Sequence, residues 1–206
     1  ITTDHAVVGW GDPGLPDLHG MYWSSSNDFT EAMYYRLAQA VSFSNSFIKN
    51  ASELSGDEVS VFVAEARFLR AYAYYNLLDL YGNVPLTTEI STELPTQSNR
   101  TELFNFIESE LMEIESILLA SNEYGRVDNV AAHALLSRLY LNAEAWTGQD
   151  RYADCITYSQ NVINSGYTLN MNDANGNGTA YDELFMADND VNGCLLYTSD
   201  AADERL

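Results

Sequence analysis

Residues 57–82 read DEVSVFVAEARFLRAYAYYNLLDLYG, and this stretch decides the fold class. Its apolar side chains recur at spacings of three and four, which places them on one face of an α-helix. The predicted face consists of Val61, Ala64, Phe68, Ala71, Tyr75, Leu78 and Leu80. Gly82 and Pro85 follow, and both residue types end helices. The stretch therefore predicts a long helix that begins near Asp57 and buries a broad apolar face.

Helical spacing of apolar residues continues on both sides of this stretch. One helix is predicted over residues 29–51, where Asn27 or Asp28 can cap the first turn. Its apolar positions are Phe29, Met33, Leu37, Ala40, Val41, Ser44, Phe47 and Ile48. A further helix is predicted over residues 101–121, where Thr101 or Asn99 can serve as the cap. Residues 29–121 are therefore expected to contain three consecutive helices.

Two more helices are predicted close together along the chain. Residues 129–145 read NVAAHALLSRLYLNAEA, and residues 151–166 read RYADCITYSQNVINSG, with a short turn between them. Two helices joined in this way form an αα-hairpin, the unit from which helical repeat arrays are stacked. The predicted fold is therefore all-α, a tetratricopeptide-like helical-hairpin scaffold with long loops.

The helical scaffold is expected to span residues 29–166. It follows a loop-rich N-terminal segment, residues 1–28, whose glycines and prolines are too dense for a long helix. It precedes a loop and connecting segment, residues 167–193. These three parts are predicted to form one partial domain, residues 1–193.

The charge and composition exclude several classes of protein. The 206 residues include 30 acids and 9 bases, which gives a net charge of -21. Such a field repels nucleic acids, so nucleic-acid binding is excluded. No apolar run reaches the roughly 18 residues of a membrane-spanning helix. The two cysteines, Cys155 and Cys194, are too few for a zinc cluster, and no motif for a cofactor or metal occurs.

Three arginines lie in or beside the predicted apolar helix faces: Arg67, Arg70 and Arg138. An arginine at such a position is expected to pair with a carboxylate, because a buried charge without a partner is unstable. Arg70 lies five residues after Glu65, which is not the best spacing for a pair within one helix. We therefore expect Arg70 to pair across helices.

Several stretches resemble one family. Residues 64–89, AEARFLRAYAYYNLLDLYGNVPLTTE, are similar to the signature helix and exit loop of the SusD/RagB family of nutrient-binding outer-membrane lipoproteins. Further similar stretches follow in the family's order: GRVDNVAAHALLSRLYLNAEAW at 125–146, RYADCITYSQNVINSGYTL at 151–169 and YDELFMADND at 181–190. The resemblance covers about residues 20–193.

The resemblance implies a non-catalytic protein that captures an oligosaccharide or another small nutrient. Such a protein passes its ligand to a TonB-dependent, SusC-like transporter of the outer membrane. The full-length protein would face outward from the cell outer membrane on a lipid anchor. Because family members are far longer, the chain is expected to be an internal fragment. Residues 194–206 begin CLLYTSDAADE, which resembles a translated sequencing adapter, and are expected to be a non-native tail.

The resemblance also points to the loop before the first long helix as the place of ligand binding. A neutral sugar needs flat aromatic faces for its apolar side, and amides or carboxylates for its hydroxyls. The candidate binding residues are Trp10, Tyr22, Trp23 and Asn27. The alternative is that Tyr22 and Trp23 pack beneath the loop as a small apolar cluster.

Two other functions stay open at this point. A helical-repeat adaptor would bind a peptide on its helix faces and would need no aromatic loop. A glycoside hydrolase would need two carboxylates at a set separation, and Glu144 is the candidate acid in an otherwise apolar helix. Asp173 begins a partial match to a calcium loop, but the closing acid is absent because position 184 is Leu184. We therefore predict neither catalytic residues nor a metal site.

Overall fold

The computed structural model describes residues 11–169, 171–173 and 176–185, together with residues 2, 8 and 9. Within these ranges the regular structure is helical apart from one pair of two-residue β-strands. The all-α prediction is therefore confirmed. The helices are α1 Leu15–His19, α2 Asp28–Ala51, α3 Asp57–Tyr81, α4 Arg100–Ile114, α5 Asn129–Leu141, α6 Ala143–Thr147 and α7 Tyr152–Ile163. The strands, β1 Val84–Pro85 and β2 Gln97–Ser98, pair antiparallel, and a 3₁₀ turn spans Asp182–Phe185.

The helices pack as successive antiparallel pairs. Helix α2 packs on α3, α3 on α4, and α5 on α7, and α4 also contacts α5 and α6. The core lies between α3, α4 and α5. Its fully buried members include Ala71, Leu78, Leu103, Ile107, Leu111, Ile114, Leu136 and Leu139. This arrangement of paired helices is the predicted tetratricopeptide-like scaffold.

Glycine defines both ends of α3. Gly56 precedes the helix at φ 144°, and Gly82 follows it at φ 76°, where its N–H bonds the carbonyls of Leu77 and Leu78. A Cβ at Gly82 would also lie 2.7 Å from a guanidinium nitrogen of Arg100, so the Arg100 side chain would have to move. Glycine at position 82 therefore ends the helix and allows the chain to turn beside α4.

A cluster of charged side chains joins α2, α3 and α4. The carboxylate of Glu110, which is 5% exposed, accepts hydrogen bonds from Arg67 (2.6 and 3.0 Å) and from Arg70 (2.5 and 3.0 Å). Arg70 also donates to Oδ1 of Asn45 in α2 at 2.8 Å. The prediction that Arg70 pairs across helices is confirmed. Arg138 forms no ion pair among the described residues, and its guanidinium lies instead 5.7 Å from the ring centroid of Tyr75.

Three predicted helices, α4, α5 and α7, are shorter in the structure than expected from the sequence, and α7 ends at Ile163 instead of Gly166. Helix α4 ends at Ile114 instead of near 121, because the chain tightens there into a turn that buries Leu118 against the core. Helix α5 ends at Leu141 instead of 145. The side chain of Asn142 donates to the carbonyl of Arg138, and this competition with the backbone separates α5 from α6.

The predicted apolar faces of α2 and α3 are only partly buried. Leu78 of α3 is fully buried, but Leu80 is 55% exposed, so the prediction that both lie on one buried face is wrong. In α2, Val41 is buried, whereas Phe29, Met33 and Phe47 are each about half exposed. Every helix in the described ranges is too short or too polar to cross a membrane.

A hydrogen bond ties the segment after α7 to the helices. The hydroxyl of Tyr167 donates to Asp128, a buried residue whose other carboxylate oxygen accepts from the first turn of α5. Burial, together with this bond, raises the pKa of Tyr167 to about 12, so its hydroxyl stays a neutral donor at ordinary pH. Residues 186–206 lie outside the described residues, including the predicted tail 194–206 and Cys194.

Candidate functional site

The loop before α2 is closed at its base by a buried asparagine. Asn27 is 5% exposed, and its Oδ1 accepts hydrogen bonds from the N–H groups of Phe29 and Thr30. Its Nδ2 donates to the carbonyl of Gly14 at 2.9 Å, on the other side of the loop. The predicted helix cap is confirmed. The same side chain therefore holds the two ends of the loop together, and its polar atoms face the protein's own backbone.

Residues 20–27, here called the aromatic turn, carry two exposed rings. Tyr22 is 66% exposed and Trp23 is 44% exposed. The N–H of Tyr22 bonds the carbonyl of Asp17 at 3.0 Å, so the turn folds back onto α1. The ring of Tyr22 lies over Gly20, because a Cβ at Gly20 would come within 2.1 Å of a ring carbon. The rings are therefore not packed beneath the loop, and both are open to a ligand.

The structure brings together three of the four predicted binding residues. Tyr22 and Trp23 are adjacent and exposed in the aromatic turn, whereas Asn27 is buried at its base, where its amide bonds the backbone of Gly14, Phe29 and Thr30. Trp10 lies outside the described residues. The two exposed rings supply the flat apolar faces that the apolar side of a sugar requires.

The surroundings of the aromatic turn are acidic. Residues 11–31 contain Asp12, Asp17, Asp28 and Glu31 and no lysine or arginine. Two of these, Asp28 and Glu31, lie in the first turn of α2, where they also stabilise the positive end of the helix. The negative electrostatic potential of these residues therefore repels an anionic ligand and does not oppose the binding of a neutral one.

The first turn of α2 is fixed to α3 by Tyr81. The hydroxyl of Tyr81 donates to the carbonyl of Thr30 at 2.5 Å, and its ring packs edge-to-face against Tyr34 at 5.3 Å. Burial raises the pKa of Tyr81, since a phenolate is poorly solvated there, so the hydroxyl stays a donor. The aromatic turn therefore directly precedes a helix whose first turn is hydrogen-bonded to α3.

The sequence interpretation missed an exposed tyrosine in α2. Tyr35 is 62% exposed and lines an open depression of about 310 Å³ with Ala32, Arg36 and Gln39. These four residues are spaced i, i+3, i+4 and i+7, so they share one helix face. The sequence shows this spacing, but it does not show whether an aromatic residue on that face is covered by a neighbouring helix.

The candidate residues for catalysis and metal binding, Glu144 and Asp173, lie on α6 and in the segment after α7. Glu144 is an exposed acid on α6, and its carboxylate accepts a hydrogen bond from the hydroxyl of Tyr152 at 2.6 Å. The carboxylate of Asp173 accepts the backbone N–H groups of Asn177 and Gly178, which closes a turn. The described residues include no group of three or more His, Cys, Asp or Glu side chains placed to hold a metal.

Comparison with known proteins gives consistent similarities. A SusD-like family model, described as "Starch-binding associating with outer membrane", matches residues 18–141. The chain is 38% identical over 195 residues to the starch-binding protein SusD of Bacteroides thetaiotaomicron, which covers 93% of this chain and 34% of that protein.

Solved structures show the same helical arrangement. A SusD superfamily protein from Parabacteroides distasonis matches with a TM-score of 0.69 and 28% identity, over 75% of this chain and 36% of that one. A laminarin-binding SusD-like protein matches with a TM-score of 0.74 over 87% of this chain and 39% of that one, and at 23% identity it shows the fold alone. The chain thus spans between a third and two fifths of the length of these proteins.

Proposed function

Because the chain belongs to the SusD-like family, whose members are starch-binding and associate with the outer membrane, we propose that it is part of an oligosaccharide-binding component of an uptake system. The whole protein binds its ligand without chemical change and passes it to a TonB-dependent, SusC-like transporter. In its full length it is held at the outward face of the outer membrane by a lipid anchor. Residues 1–193 form the part of its domain that this chain contains.

The observation that carries this proposal is the exposure of Tyr22 and Trp23 on a rigid support. Their rings are exposed, while the base of the turn is held by Asn27, which is buried, and the adjoining first turn of α2 is bonded by Tyr81. Rings that are already oriented lose little conformational freedom when a ligand binds, which favours affinity. Trp10, close by in sequence, is proposed to contribute a third ring.

The acidic surroundings favour a neutral ligand. Starch, laminarin and xyloglucan oligosaccharides are neutral glucans. SusD is named for binding starch, one structural neighbour is named for binding laminarin, and another was solved with a xylogluco-oligosaccharide. Their hydroxyls need no cationic partner, so the lack of Lys and Arg in residues 11–31 is no obstacle. We therefore propose a neutral glucan as the ligand class.

The central test is replacement of the exposed tryptophan. Trp23→Ala is expected to weaken binding of maltoheptaose about tenfold, measured by isothermal titration calorimetry, because a stacked ring is lost. Phe43→Ala is the matched control, since Phe43 is an exposed aromatic residue of α2 outside the turn, and it should bind like the unmodified chain. Equal affinity of the Trp23 and Phe43 variants would refute the role of the aromatic turn.

The same titrations distinguish the other classes of function. Chromatography of the sugar after incubation should show maltoheptaose of unchanged length, whereas shorter products would indicate a glycoside hydrolase. Failure to bind maltoheptaose, laminarihexaose and xyloglucan oligosaccharides would instead leave the helical-repeat adaptor as the better explanation.

A second test moves Tyr22 without deleting it. Gly20→Ala should push the Tyr22 ring away, because the added Cβ meets it at 2.1 Å, while the backbone at φ -79° and ψ -3° accommodates alanine. We expect a loss of affinity of about threefold, without loss of thermal stability. Gly11→Ala is the control, since no atom lies within 4 Å of its added Cβ. A Gly20 variant with full affinity would show that the Tyr22 ring does not contact the sugar.

A further inference from the structure

The depression on α2 lies in the scaffold and is separate from the aromatic turn. It is lined by Ala32, Tyr35, Arg36 and Gln39 and has a volume of about 310 Å³. The small side chain of Ala32 leaves the space beside the Tyr35 ring unfilled. Tyr35 is eight residues after Asn27, a rise of about 12 Å along the helix axis. A ligand that contacts only the aromatic turn therefore leaves this depression free.

The ring of Tyr35 is oriented by contacts that lead to the core. Tyr34 lies nearly perpendicular to it, at 6.1 Å between centroids and 68° between planes. The ring of Tyr34 packs in the same manner on Tyr81, whose hydroxyl bonds the first turn of α2. Tyr35 nevertheless stays 62% exposed. It is thus an exposed aromatic surface with one edge-to-face neighbour, which reduces the freedom the ring must lose when a ligand binds.

Arg36, like Lys49, Arg100 and Arg138, forms no ion pair with a carboxylate among the described residues. The Nη1 atom of Arg36 donates to Oε1 of Gln39 at 3.1 Å. A neutral amide therefore orients the guanidinium. The other N–H groups of Arg36 and the amide NH₂ of Gln39 are available as donors.

We propose that Tyr35, Arg36 and Gln39 form a second contact site for a neutral oligosaccharide. Tyr35 stacks on the apolar face of a sugar ring, and Arg36 and Gln39 donate hydrogen bonds to its hydroxyls. A neutral ligand is favoured over an acidic one because Asp28 and Glu31 precede the site on α2 and the whole chain carries a charge of -21. This inference rests on the proposed function, since it assumes that the chain binds glycans.

The test is titration of the full chain with maltoheptaose. Tyr35→Ala should weaken binding about three- to tenfold, and Tyr35→Phe, which keeps the ring, should restore most of the affinity. Arg36→Gln should weaken it about threefold. Tyr124→Ala is the matched control, because Tyr124 is 55% exposed in a loop outside the depression, and it should leave the affinity unchanged.

The possible outcomes separate this inference from the function on which it rests. If Trp23→Ala weakens binding and Tyr35→Ala behaves like Tyr124→Ala, the second site is refuted and the proposed function stands. If the unmodified chain binds none of the neutral glucans, both are refuted. A preference for an oligogalacturonide that disappears in Arg36→Gln would also overturn the proposal, because the site would then recognise a carboxylate.

Discussion

Glu110→Gln is expected to lower the free energy of unfolding by about 3–5 kcal/mol, the range for removing one partner of a buried ion pair. Glu110 is 5% exposed and is the carboxylate partner that Arg67 and Arg70 share. Glutamine keeps the size of the side chain but removes its charge. Arg70, itself 5% exposed, would then remain buried without a counter-charge. Urea unfolding followed by circular dichroism measures the loss.

Glu113 provides a matched control in the same helix. It also pairs with Arg67 at 2.6 Å, but its side chain is 63% exposed. Water screens an exposed pair, so Glu113→Gln should change stability by about 0–1 kcal/mol. Equal losses in the two variants would show that burial does not decide the strength of this cluster.

The sequence predicted local structure better than it predicted partners. Asn27 and Asn99 cap α2 and α4 as expected, because a cap depends on residues within one turn. The pairing of Arg70 was expected as well, but Glu110 is forty residues away, and only the packing of α3 on α4 brings the two together. Helix spacing therefore revealed that a partner was needed and could not identify it.

In the candidate site, too, local features could be predicted from the sequence and spatial neighbours could not. Tyr22 and Trp23 lie in a glycine-rich loop, and loops tend to be exposed, which made them reasonable candidates. Asn27 was predicted both to cap α2 and to contact the ligand. In the structure its amide oxygen caps the helix and its amide nitrogen bonds the carbonyl of Gly14, so both polar atoms are already used. Tyr35 was missed because it adjoins a buried helix face. Whether an aromatic residue of a helix is covered depends on its neighbours in space.

Leu78→Ala is expected to destabilise the chain by about 2–5 kcal/mol, and Leu80→Ala by no more than about 0.5 kcal/mol. The sequence interpretation placed both leucines on one apolar face. Two residues advance a helix by roughly 200°, however, so they point to nearly opposite sides. Leu78 is fully buried and Leu80 is 55% exposed, which agrees with that geometry.

The two leucine variants therefore measure which side of α3 faces the core. Both substitutions remove the same atoms from the same helix, so helix propensity changes equally in the two variants. They differ only in whether a cavity is left in the core. Thermal and urea unfolding of both variants, beside the unmodified chain, provides the measurement. A loss at Leu80 as large as that at Leu78 would mean that the outer face of α3 is also covered, for example by a second copy of the chain. The destabilisation of the Leu80 variant would then decrease on dilution, because an association contributes less at low concentration.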